Sequence, residues 1–79
     1  KMEEVKIIIR KTNFCGMERV IGKIITATKC DKKGTHVMYK VLKEKLVEKG
    51  AQEDEFVCHD AYNFREPFDI IEEVKEENS

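Results

Sequence analysis

The sequence predicts a small α+β domain, a mostly antiparallel β-sheet with one main helix across a face, in the order β-β-α-β-β. Three observations carry this. Val5 to Lys11 is rich in β-branched residues, which suit a pleated surface. Residues His36 to Lys49 carry apolar side chains at helical spacing. The 79 residues are 41% hydrophobic and 39% charged, so a modest core sits beneath a densely charged surface. One domain over residues 1–75 and an acidic tail at 76–79 are expected.

In the first strand Val5, Ile7 and Ile9 share one face and are expected to meet the core. Ile8 lies on the other face between Lys6 and Arg10, and is a candidate contact. Asn13-Phe14-Cys15-Gly16 reads as a turn. Met17 to Cys30 fits two patterns. As a helix, Met17, Val20, Ile21, Ile24, Ile25 and Thr28 form one stripe. As a strand, Ile24-Ile25-Thr26-Ala27-Thr28 is favourable, and Gly22 marks a bend. The low helix preference of that run favours the strand, and with it a hairpin from Val5 to Cys30.

Residues 30–35 form a polar connector, with Thr35 as the expected N-cap of a helix over Thr35–Lys49. Met38, Val41, Leu42 and Leu46 make its apolar stripe. Lys45 and Lys49 suit its negative end, and Gly50 is placed to terminate it. Glu55 to Tyr62 reads as a strand and Asn63 to Glu66 as a loop. Phe68 to Val74, after Pro67, is either a short helix or a last strand, and the strand is preferred.

The charge balance is 15 Lys+Arg against 16 Asp+Glu, a formal net charge of -1. A dedicated nucleic-acid binder usually carries an excess of cations. A local strip is nonetheless present around Lys29, Lys32, Lys33, Lys40 and Lys43, with Tyr39 as a stacking ring, so nucleic-acid binding stands as an alternative function. No apolar run is long enough for a membrane span, and the opening residues do not read as a secretory leader. Cys15, Cys30 and Cys58 are an odd, unclustered set, which points to a reducing, cytoplasmic setting.

Cys15, Cys30, Cys58, His36 and His59 lack the close pairing of zinc ligands, so no metal and no cofactor are expected. Cys15 is the candidate reactive thiol. If Met17 began a helix, the helix dipole would favour its thiolate. Yet Glu18 stands where a second redox cysteine would be needed. The preferred function is a non-catalytic binding or regulatory module acting through a protein partner or self-association. Ile8, Phe64 and Phe68 are its candidate apolar contacts. The Lys-, Glu- and Ile-rich composition would also suit an orphan protein of a phage or mobile element.

Overall fold

A computed structural model of the chain describes residues 2–31, 36–52 and 59–75. Among these, the elements run β1 (Met2–Lys11), a 3-10 turn (Glu18–Val20), β2 (Ile24–Cys30), β3 (Met38–Leu42), α1 (Lys43–Glu48), β4 (Ala61–Phe64) and β5 (Ile70–Val74). The strands form one antiparallel sheet in the order β4-β3-β2-β1-β5. The expected α+β class is what is found, a five-stranded sheet with one short helix.

The hairpin expected between Val5 and Cys30 is present, with Val5 opposite Ala27 and Ile7 opposite Ile25. Strand alternation then sorts the side chains. Ile7, Ile9, Ile25, Ala27, Val41, Tyr62 and Phe64 face inward and are buried. Lys6, Ile8, Thr26 and Lys40 fall on the opposite face. Residues 17–23 settle the open alternative differently from either pattern. They form a short 3-10 turn that buries Met17 and Val20 and leads into the strand at Ile24. Gly22, at φ +85°, donates its N–H to the Ile9 carbonyl and ties this turn to the end of β1.

The helix is much shorter than expected. Thr35–Lys49 was the sequence expectation, but Met38–Leu42 is strand and only Lys43–Glu48 is helix. Among the described residues the order is therefore β-β-β-α-β-β. The reason lies in the residues themselves. Met38, Val41 and Leu42 fit a helical stripe, but Tyr39 and Val41 equally fit a strand's inner face. β2 would otherwise end the sheet at this side, and pairing of Met38, Tyr39 and Lys40 with Cys30, Lys29 and Thr28 satisfies its backbone. Tertiary pairing outweighs a local preference worth tenths of a kcal/mol per residue, about 0.7 at most for ordinary residues. The expected cap Thr35 lies outside the described residues. Gly50 does follow the helix, at φ +114°, and its N–H bonds the Val47 carbonyl.

α1 and the residues after it close one end of the core. Leu46 and Ala51 join Met17 and Val20 in the buried cluster of the described residues. Lys23 Nζ donates to the Lys49 carbonyl at 2.7 Å, and the Gln52 N–H reaches the Gly16 carbonyl.

Two further boundaries move. Asn63 and Phe64, expected in a loop, belong to β4, because Tyr39 and Lys40 on β3 pair with them. Of the strand expected over Glu55–Tyr62, residues 55–58 lie outside the described set, His59 and Asp60 form a bend, and Ala61 and Tyr62 open β4. The last expected strand is β5, starting at Ile70, since Phe68 and Asp69 are used by the turn that precedes it.

The sheet is curled. Tyr39 on β3 and Glu73 on β5 are three strand positions apart, about 14 Å in a flat sheet. The Tyr39 hydroxyl nevertheless donates to Glu73 Oε2 at 2.6 Å. Both residues are on the inner face, so the sheet must bend around its core to bring them together.

Candidate functional site

Among the described residues, two of the places that gather polar or aromatic side chains from distant parts of the chain are candidates for a site. The first is the clasp at Glu73. Its carboxylate accepts from the Tyr39 hydroxyl and pairs with Lys29 Nζ at 2.7 Å. The Lys29 hydrogen bond, then that of Tyr39, holds the Glu73 carboxyl below its ordinary range. The same bond raises Lys29. Tyr39 is raised above the ordinary phenol value, first by burial and then by its bond to Glu73. Catalytic acid–base pairs need groups that exchange protons near the working pH. Here the acid is held ionised and the phenol held neutral, which suits a structural clasp rather than proton transfer.

The second is a depression of about 360 Å³ lined by Asn13, Phe14, Asn63, Arg65, Phe68 and Asp69. It lies where the β1–β2 connection, the end of β4 and the β4–β5 turn meet. Each side chain has a local cause. The Phe14 N–H bonds Thr12 Oγ1, which shapes the turn. The Phe14 ring packs edge-on against Tyr62 and Phe64, at 5.3 Å in each case, while 39% of the residue stays exposed. The β4–β5 turn contains the cis Glu66–Pro67 bond and is closed by a reciprocal pair. The Asp69 N–H donates to the Arg65 carbonyl, and Asp69 Oδ2 accepts from the Arg65 N–H, both at 2.9 Å. Asp69 is only 4% exposed and its carboxylate is satisfied by that bond, so a charged residue can be tucked under the turn. Phe68 is thereby left at the tip, 61% exposed, with the Arg65 guanidinium 5.3 Å from its ring centroid.

The sequence-derived candidates scatter. Phe68 is in the depression. Phe64 is not a contact residue, because it is fully buried and forms the wall behind Phe14. Ile8 is half-buried on the outer face, opposite Glu72 and Ile24. Tyr39 is half-buried and committed to Glu73. Lys40 is exposed on the outer face, whereas Lys29 points inward to Glu73, so these two do not form a common strip. Lys32 and Lys33 lie outside the described residues. Cys15 is exposed, but the segment after it is a three-residue 3-10 turn and brings no helix macrodipole to the sulfur. Cys30 is half-buried at the end of β2, His36 and His59 are exposed, and Cys58 is outside the described residues.

Sequence reasoning missed Asn13, Phe14, Asn63, Arg65 and Asp69 as a group. A large apolar ring inside the polar turn Asn13-Phe14-Cys15-Gly16 was the available signal. Its conjunction with Phe68, more than fifty residues on, was not. No described helix is long and apolar enough to cross a membrane. Compared with known proteins, the chain matches no family model, no curated protein and no solved structure.

Proposed function

We propose that this chain is a non-catalytic binding or regulatory module that acts by contact with a protein partner, through the depression around Phe14 and Phe68. One observation carries the reading. Two partly exposed aromatic rings from separate loops line one depression, each held by packing or by a closed turn, with amide and guanidinium groups in the same lining. A concave site with apolar walls and a few polar groups is the usual form of a recognition surface. The opposite placement of Lys29 and Lys40 favours this over nucleic-acid binding. Self-association is the weaker form of the proposal. An antiparallel pairing of β5 with its own copy, in the register centred on Glu72, sets Glu72 against Glu72, which like charges oppose. A reducing, cytoplasmic setting belongs to the same proposal and rests on the unclustered cysteines.

The test is selection of a random peptide library on the purified protein, followed by mapping of the selected peptides by NMR. The expected outcome is enriched peptides that perturb Phe14 and Phe68 and bind roughly tenfold or more weakly to Phe68→Ala. Phe68 is exposed, so that variant should keep its fold. No enrichment, or peptides that map elsewhere and ignore Phe68→Ala, would remove the proposal.

A further inference from the structure

We infer that the depression recognises an extended peptide segment in which a large apolar or aromatic side chain sits two residues from a carboxylate, with Arg65 taking the carboxylate. The inference rests on the binding-module reading above and specifies its ligand. Among the described residues, the ion pairs are Arg10 with Glu72 and Lys29 with Glu73, and the Arg65 guanidinium forms none, the Asp69 carboxylate of the same depression being turned to the Arg65 backbone N–H. Its guanidinium lies over the Phe68 ring, a contact that favours this position and leaves its N–H fork open at the edges. A cation ordered in this way, beside an apolar hollow, is matched by an anion carried next to an apolar group.

The spacing follows from the same geometry. The guanidinium is 5.3 Å from the Phe68 centroid. Neighbouring side chains of an extended segment point to opposite faces, so an anchor and an acid that both face the depression stand two residues apart, about 6.6–7.2 Å along the chain. The side-chain amides of Asn13 and Asn63 are free of partners among the described residues, and each can donate to and accept from an extended backbone. The volume, about 360 Å³, suits an anchor side chain and its neighbours rather than a helix.

The observations favour a peptide over nucleic acid because the depression offers one free cation. Nucleic-acid affinity accumulates over several phosphates. Arg10, outside the depression, is bound to Glu72 through both Nε and a terminal guanidinium nitrogen.

The experiment titrates labelled protein with three blocked peptides, Gly-Phe-Gly-Glu-Gly, Gly-Phe-Gly-Gln-Gly and Gly-Phe-Gly-Lys-Gly, followed by NMR. The Glu peptide should bind about three- to tenfold tighter than the Gln peptide, as expected for one partly exposed charge-assisted hydrogen bond. The Lys peptide should be the weakest. Shifts should centre on Asn13, Phe14, Asn63, Arg65 and Phe68. Arg65→Gln should bring the Glu and Gln peptides to equal affinity, and Arg65→Glu should reverse the order of the Glu and Lys peptides. Equal binding of all three peptides at the depression of the unmodified protein would overturn the inference while leaving the binding-module reading intact. Charge selectivity that persists in Arg65→Gln would do the same. If no peptide perturbs the depression, the inference fails, and the library selection decides the broader reading separately.

Discussion

At Glu73, donors from two strands meet one carboxylate, and this contact has a definite pH signature. The Glu73 carboxyl is lowered by Lys29 and then Tyr39. A lowered acid contributes stability that is fully present above the unfolded value, about 4.3, and is lost as pH falls through the folded value. Tyr39 and Lys29 are both raised, so their contributions are present below the unfolded values of about 10 and 10.4 and fade as pH rises beyond them. The clasp thus supports a plateau between about pH 5 and 10. Glu73→Gln should lower stability at pH 7 by about 1 kcal/mol, discounted for the partial exposure of the ion pair. That corresponds to a fall in Tm of about 4–8 °C. The difference should shrink at pH 3. Thermal melts at the two pH values check this, and an unchanged difference would show that Glu73 is not held ionised by its partners. The same contact commits the Tyr39 hydroxyl to Glu73.

Among the elements, the junction after α1 is the most exacting. Gly50 has φ +114°, and a Cβ there would lie 3.1 Å from Arg19 Cβ. Gly22 has φ +85° but open space around a Cβ. Both substitutions to Ala carry the left-handed penalty of about 1–2 kcal/mol, and Gly50→Ala adds a close contact with the turn at Glu18–Val20. Denaturant unfolding should therefore rank Gly50→Ala below Gly22→Ala by about 1 kcal/mol. Equal losses would mean that Arg19 moves aside without cost. This junction was legible as a helix end, because Gly50 follows Lys49 and a periodic run. The start of the helix was not. Met38 to Leu42 satisfies both periodicities, and only the unpaired side of β2 selects the strand.

For the whole molecule, the strand order sets where the fold is firmest. β1 lies between β2 and β5, and β2 between β1 and β3, while β4 is four residues long at one end of the order. Amides of Ile7, Ile9 and Ile25 should exchange slowest, through global opening. Asn63 should exchange about tenfold or more faster, through local opening. Hydrogen exchange followed by NMR reads this directly, and uniform protection would show that the described edge opens only with the whole fold. The α+β class, the first hairpin, the inward set Val5, Ile7 and Ile9, and the glycine after the helix followed from the sequence alone. Each depends on local periodicity or backbone preference, which a short window of residues contains. The length of the helix, the burial of Phe64, the divergence of Lys29 from Lys40 and the meeting of Phe14 with Arg65 and Phe68 were decided by the tertiary structure. Those outcomes depend on which strands pair and on how far the sheet curls, and the energies that settle both come from contacts between residues distant in the chain.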